Sequence, residues 1–375
     1  MTGIATKHGK PVWKQMLEKS ITSPQALSRL FDLDEVHLQE VVSRYPTRIN
    51  PYYINLIKHK NDPIYRQCVP DTREVTDGYG LEDPLNEEEL SPVPGLTHRY
   101  PDRVLFLVSA RCAMYCRFCN RKRKVGHRSV VTDASVREGI SYIRSNNHIR
   151  DVLLSGGDPL LLDNGKLHSI LSELRSISHV QILRIGTRVP CTLPQRITPQ
   201  LANMLKAFHP LYIHTHFNHP DELTPEASLA CARLANAGIP LGCQTVLLKG
   251  VNDNPSTIKA LMQGLLCMRV RPYYLFQADL AKGTSHFWTP LDRGLAIMES
   301  LQGHTSGLCL PHFAVDLPGG GGKVLLTPEC IIKRDAQGLL VRNYQGEEQR
   351  YPGLVGPFDD KAVQFHQARL CGRIR

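Results

Sequence analysis

The residues best equipped for chemistry crowd one stretch, CAMYCRFC, where Cys112, Cys116 and Cys119 fall within eight positions and no fourth cysteine follows nearby. Thiolates are metal ligands, and closed tetrahedral sites want four protein ligands because an open position invites water, oxygen or substrate. Three thiolates can instead hold three irons of a four-iron cluster and leave the fourth iron with free positions, which makes that iron a substrate site. The other reading is a zinc site completed by a distant Cys or His. Tyr115 and Phe118, beside the ligands, suit a cluster shielded from solvent.

Four other stretches carry chemical groups. In SGGDP, residues 155–159, glycines let backbone approach a ligand closely and Asp158 could pair with an ammonium, although alone the stretch is also a tight turn. In DLPGGGGKV, Lys323 follows four glycines. A phosphate-binding P-loop is excluded, because it needs Gly where Leu317 stands and Ser or Thr where Val324 stands. What remains is a flexible hairpin with a solvated lysine, or a lysine on a mobile arm that forms an imine with a cofactor and swings away when substrate replaces it. The run RKRK, Arg121 to Lys124, reads as a solvated basic patch or a nucleic-acid contact. Arg121 stands two residues past a cluster ligand, however, where a guanidinium could clamp a carboxylate. Asp279 in LFQADL and Asp316 in FAVDLP each end an apolar run, as caps or turn formers, or as two carboxylates at one rim that hold an ammonium. HTHFNHP offers His214, His216 and His219, but no Cys or carboxylate stands in that stretch to complete a metal site.

These groups need a scaffold that brings them to one place. From Arg103 onward six short apolar runs, RVLFLV, DVLLS, QILRIG, LYIHTHF, LGCQTVLL and RPYYLFQ, are each followed by a turn signal and a longer amphipathic run. Such β-α repeats predict an α/β fold with parallel strands buried on both faces, either a barrel or a doubly wound sheet. In both, chemistry sits at the carboxyl ends of the strands, and the cysteines follow the first run directly. Lys14 to about Ile57 reads as helical, with Ser23 as an N-cap, and residues 62–98, rich in Pro, Asp and Glu, read as an extended connection. The expected divisions are a helical and connecting region over 1–97, a β/α core over 98–310, and a lysine-bearing segment and tail over 311–375.

Composition sets the outer bounds. The 375 residues, 42% hydrophobic and 21% charged, are ordinary globular material and exclude a disordered chain. The start, MTGIATKHGKPVWKQ, has no signal-peptide core, and no apolar stretch reaches about 18 residues, so a soluble cytoplasmic protein away from membranes is expected. Eleven cysteines then argue for thiols, and Cys68, Cys231, Cys243, Cys267, Cys309, Cys330 and Cys371 read as scattered small apolar residues. The formal charge of +10 is spread along the chain, which disfavours nucleic acid.

The cysteine spacing is that of the radical S-adenosylmethionine superfamily. Moreover THRYPDRVLFL, CAMYCRFCNRKR, LSGGDPL, HTHFNHP, LLKGVNDN, RPYYLFQADL, HFWTPL, GHTSG and DLPGGGGK occur in order. Together they resemble the lysine 2,3-aminomutase family over most of the chain. The resemblance implies a partial (β/α)6 radical SAM barrel with an N-terminal helical extension and a C-terminal tail. It implies that Cys112, Cys116 and Cys119 hold a [4Fe-4S] cluster, and that Gly156, Gly157, Asp158, His216 and Gln244 line the S-adenosylmethionine site. Lys323 matches the lysine that forms the imine with pyridoxal 5'-phosphate, and Arg99 a contact to that cofactor. Arg121 matches the arginine for the substrate carboxylate, and Asp279 with Asp316 the pair for the ammonium of lysine. The implied reaction moves the α-amino group of L-lysine to C3 by way of a deoxyadenosyl radical. A one-electron reductant of flavodoxin or ferredoxin type and a homo-oligomer are implied with it.

The departures are specific. Where some family members have a cysteine for a structural zinc, just after GVND, this chain has Asn254, and its tail holds only Cys371. Zinc is therefore not carried over. The intact segment before the glycines argues against the relatives that modify a lysine on a translation elongation factor. Two rival readings stand: the same mechanism on ornithine, arginine or glutamate, and a non-catalytic iron-sulfur protein that binds nucleic acid. Glutamate is disfavoured by the two carboxylates, and the second rival gives Lys323 no role.

Overall fold

The structure is a computed structural model that describes residues 9–126, 131–335 and 338–352. Cys371 and the rest of the tail lie outside the described residues. The chain opens with five short helices, α1 (Val12–Glu18), α2 (Pro24–Phe31), α3 (Glu35–Arg44), α4 (Pro51–Ile54) and α5 (Pro63–Cys68). They are short because polar caps and prolines punctuate the run: Ser23, Asp34, Asn50 and Asp62 each accept from a backbone N–H three residues on.

One nine-stranded sheet follows, its strands in sequence order. They are β1 (Leu96–Tyr100), β2 (Arg103–Ser109), β3 (Asp151–Gly156), β4 (Ile182–Gly186), β5 (Leu211–Thr215), β6 (Leu241–Leu247), β7 (Arg271–Gln277), β8 (His312–Leu317) and β9 (Gly322–Leu326). Strands β2 to β8 pair in parallel, and β1 and β9 close the two edges as antiparallel strands. The six apolar runs are β2 to β7. The run FAVDL adds a seventh parallel strand, so the sheet continues across residue 310, where the sequence places a division. A separate meander, β10 (Ile331–Asp335), β11 (Gly338–Arg342) and β12 (Glu348–Pro352), ends the described chain.

Helices fill the crossovers: α6 (Asp133–Ser145), α7 (Asn164–Arg175), α8 (Val189–Thr192) with α9 (Pro199–Lys206), α10 (Pro225–Asn236), α11 (Pro255–Cys267) and α12 (Leu291–Leu301). Sequential parallel strands with crossovers of one hand place all these helices on one face. The strands record it. Leu241, Cys243, Thr245 and Leu247 of β6 are buried, while Gly242, Gln244 and Val246 between them are only half-buried. Strands β4 and β5 repeat the alternation with Leu183, Ile185, Leu211 and Ile213. The expectation of burial on both faces is therefore corrected: helices cover one face, and the other curls round a partly open interior. The two edges meet where the Tyr100 hydroxyl of β1 accepts from the backbone N–H of Lys323 on β9 at 3.0 Å. Among the described residues no helix is long and apolar enough to cross a membrane.

Close helix packing at both ends of the parallel set depends on glycine. A Cβ on Gly139 of α6 would lie 2.4 Å from the Phe106 ring of β2, and one on Gly294 of α12 would lie 2.1 Å from the Phe313 ring of β8. We expect Gly294→Ala to cost about 1–3 kcal/mol through overpacking. Thermal unfolding should show a lowered midpoint, partly restored by adding Phe313→Leu, and an unchanged midpoint would mean that α12 does not seat on Phe313.

Candidate functional site

The loop after β2 carries Cys112, Cys116 and Cys119 and has no regular ladder of its own. Its backbone is held by the N-terminal extension: Tyr115 N–H donates to the Arg48 carbonyl at 3.0 Å and Arg117 N–H to the Gln67 carbonyl at 2.9 Å. The amide of Asn50, wholly buried, donates to the Ala113 and Thr192 carbonyls at 3.1 and 2.8 Å. Beneath the loop lies buried Glu74, which accepts from Arg117 Nε at 2.9 Å and Lys122 Nζ at 2.6 Å. Burial pushes the Glu74 carboxyl up, but the Arg117 and Lys122 charges outweigh it and hold the group below the usual range.

All three thiols are free and half-buried. Burial, with the carboxylate of Asp158 and the other two cysteines, pushes Cys112 well above the ordinary thiol range, and burial pushes Cys119 up to about 11. Thiolates crowded in this loop need a cation among them. Among the described residues no group of three His, Cys, Asp or Glu side chains is placed to hold a single metal ion. A four-iron cluster takes one thiolate per iron and does not require convergence on one point.

Gly156 and Gly157 end β3 against this loop. Gly156 has φ +131°, and a Cβ there would meet the Ser109 carbonyl oxygen at 2.1 Å, while one on Gly157 would meet Arg111 N at 2.6 Å. The glycines thus let two strand ends touch, which fixes the residues just before Cys112. Beside them a small cleft is lined also by Ser109, Ala110 and Arg121. Asp158 is buried and engaged by the protein, accepting from Leu160 N–H at 3.0 Å, Thr187 Oγ1 at 2.7 Å and Arg188 N–H at 2.8 Å. It ties the β3 loop to the β4 loop, and burial pushes its carboxyl up to about 6.

His216 follows β5 and pairs through Nε2 with Asn218 Oδ1 at 2.9 Å, its ring 5.6 Å from Phe118. Burial and the nearby Arg188 charge lower it to about 3, so it is a neutral imidazole. His214 stacks on Tyr273 and His219 bonds to Asp221 N–H, so the three histidines face different partners. Gln244 lies on the interior side of β6.

A second cluster gathers at the other part of the rim. Lys323 stands directly across the β8–β9 hairpin from Asp316, and its Nζ donates to Asp316 Oδ2 at 2.7 Å. Gly319, Gly320 and Gly322 have φ of +68°, +83° and +84°, so the glycines are demanded by a defined turn rather than by a loose arm. The ammonium of Lys323 also lies 3.9 Å from the Phe276 ring centroid, and Arg99 Nη1 is 3.8 Å from Asp316 Oδ1. Asp279 accepts from Asn120 Nδ2 at 2.7 Å. Burial first, then the Asp316 charge, pushes Asp279 up to about 6.

Arg121 is half-buried, with Nε 2.8 Å and Nη2 2.7 Å from Glu87 Oε1. The rest of RKRK is also paired internally: Lys122 with Glu74, Arg123 with Asp83 at 2.8 Å, and Lys124 with Glu88 at 2.9 Å. A basic run neutralised by the acidic connection offers no bare surface to nucleic acid. Sequence reasoning missed Glu87, Asn120, Arg188 and the buried Cys191. Asn120 directly follows the third cysteine and Arg188 follows an apolar run, both positions where loop chemistry is expected, whereas nothing local distinguishes Glu87 from its acidic neighbours.

With the geometry in view, the comparisons with known proteins become specific. The family model of the radical SAM superfamily matches residues 106–261, and that of lysine-2,3-aminomutase matches residues 298–368. An L-lysine 2,3-aminomutase of Methanococcus maripaludis is 49% identical over 89% of this chain and 79% of its own. The L-lysine 2,3-aminomutase of Clostridium subterminale is 47% identical, with 89% and 82% covered. A glutamate 2,3-aminomutase of Clostridioides difficile is 44% identical, with 89% and 81% covered. Two family matches on either part of the sheet, and relatives aligned through both clusters, place this chain in the lysine 2,3-aminomutase family of radical SAM proteins.

Proposed function

We propose that the chain is an isomerase that moves the α-amino group of L-lysine to C3, giving β-lysine. The observation that carries this reading is the Asp279–Asp316 pair, two carboxylates on neighbouring strand ends beside Lys323. Two half-buried carboxylates close enough for one to raise the other repel each other, and a cation between them relieves that repulsion. In the structure Lys323 supplies that cation to Asp316, and a substrate ammonium is of the same chemistry.

The residues present fit three groups. Cys112, Cys116 and Cys119 would hold a [4Fe-4S] cluster, and Gly156, Gly157, Asp158, His216 and Gln244 would line S-adenosylmethionine beside it. Lys323 and Arg99 would hold pyridoxal 5'-phosphate; Arg99 Nε is buried without a protein partner, as a residue awaiting an anion would be. When bound, these groups supply a carbon-centred radical and a π-system across which nitrogen can migrate.

The chain's own residues then do the positioning. Lys323, which now pairs with Asp316, would leave that carboxylate free for a substrate ammonium when it holds the cofactor instead. Asp279, steadied by Asn120, faces the same ammonium. Arg121, held by Glu87, would take the carboxylate at the opposite end, so that two charged ends fix which carbon lies between them. The same ruler repels a side-chain carboxylate, which favours lysine over glutamate. A low-potential reductant of flavodoxin or ferredoxin type and a homo-oligomeric assembly complete the reading.

Two measurements test it. Asp279 binds an ammonium only when ionised, and its carboxyl stands near 6 in the free protein. Protonation as pH falls through about 6 should lower kcat/KM for lysine, and Asp279→Asn should flatten that limb. The Asp279→Asn, Asp316→Asn double variant should lose about two to four decades in kcat/KM, from roughly 3–5 kcal/mol for an unpaired buried charge. Wild-type preference for glutamate or norleucine would refute the charge ruler. Independently, borohydride reduction of the pyridoxal-loaded protein should label Lys323, and a label on Lys282 or Lys249 would refute that assignment.

A further inference from the structure

We propose that Arg188 is a positioning residue that raises the reduction potential of the iron-sulfur cluster through its bond to Cys116. The inference rests on the cluster assignment above and goes beyond it. Arg188 follows β4, on the far side of the interior from Lys323, and touches no group proposed for the amino acid. Its Nη1 donates to Cys116 Sγ at 2.9 Å. Its Nη2 donates to Gln67 Oε1 at 2.6 Å and Glu222 Oε1 at 2.7 Å. The guanidinium carbon lies 5.2 Å from the Phe118 ring centroid and 5.7 Å from that of Tyr53. Its backbone N–H is pinned by Asp158 Oδ2 at 2.8 Å. The side chain is 9% exposed, so this cation is held in a low-dielectric place by residues from α5 and from the loops after β3, β4 and β5.

Such a costly arrangement calls for a reason. A one-electron reduction takes the cluster from the [4Fe-4S]2+ to the [4Fe-4S]1+ state and adds one negative charge, with the electron coming from a low-potential donor. A hydrogen bond to a ligand sulfur, backed by a fixed positive charge, stabilises the more negative state more than the less negative one. Glu222 opposes this but stands behind the cation. It is fully buried, and it accepts from the Tyr53 hydroxyl at 2.6 Å and His219 N–H at 3.0 Å. The guanidinium, not the carboxylate, meets the sulfur. Guanidinium does not lose its proton in proteins, so the effect persists across the working pH range.

The test is an EPR-monitored redox titration of the reconstituted full-length holoprotein, with iron and sulfide assayed for each sample. In Arg188→Gln the midpoint should move negative by a tenfold or greater loss in the reduction equilibrium, which is about 59 mV for one electron. Arg188→Lys should recover part of it. Glu222→Gln removes the opposing charge and should move the midpoint the other way. A merely structural role would alter iron content, or shift both variants alike, without opposite signs. Fully loaded Arg188→Gln at the wild-type midpoint, or shifts of one sign in both variants, would overturn the proposal. Should Arg188→Gln fail to load, the Glu222→Gln shift alone decides. Wild-type protein that takes up no iron, or Cys116→Ser that keeps it, would instead overturn the cluster assignment, a result read from the iron assay.

Discussion

Everything at the rim depends on one buried ion network, Glu74 with Arg117 and Lys122. A loop that must present three thiols has no room for a backbone ladder, so its shape has to come from elsewhere. Glu74 supplies it from outside the sheet, gripping the loop at two points five residues apart, while Lys122 also donates to the Gly283 carbonyl at 2.8 Å. A buried carboxylate with two cations is stable only with all partners in place. The network therefore locks the helical extension, the cysteine loop and the segment after β7 into one relation. Asn120 and Arg121, which reach to Asp279 and Glu87, lie between its two anchored cations.

The same logic of satisfied charge runs through the rest of the site. Arg121 is held by Glu87, Lys323 by Asp316 and Arg188 by Glu222, each cation at a strand end with its own carboxylate. Such pairs add little net stability, because desolvation offsets most of the attraction. They fix positions instead, and they leave ionic partners that a charged ligand can replace. Asp279, like Asp158, is a carboxylate with neutral partners and a raised pKa. Asp158 is already satisfied by three donors, whereas Asp279 accepts from Asn120 and lies beside Asp316, ready to receive a cation.

Much of this was legible in the sequence, and the limits have physical causes. The six β-α repeats were plain because a strand buried under helices needs an apolar run, and the cysteine spacing marked the first loop. The seventh strand is less plain, because FAVDLPGGGGK runs straight into glycines with no helix after it. Those glycines looked like a flexible arm, whereas they form the turn that sets Lys323 opposite Asp316. The open interior was missed because half-buried positions such as Gln244 and Val246 leave no distinct composition. Least visible were the long-range pairings: Glu74 is 43 residues from Arg117, and Glu87 is 34 from Arg121. Acid in a loop carries no sign of the base it will meet.

The central claim is that one rim brings a hydrogen-abstracting radical and a bound amino acid together so that nitrogen moves from C2 to C3. It is tested most directly by supplying the anaerobically reconstituted protein with L-lysine deuterated at C3. The account predicts deuterium in 5'-deoxyadenosine and at C2 of the β-lysine formed, since hydrogen taken from C3 returns to the carbon that lost the amino group. Formation of β-lysine with no label in deoxyadenosine, or no rearranged product from lysine while another amino acid is converted, would contradict it.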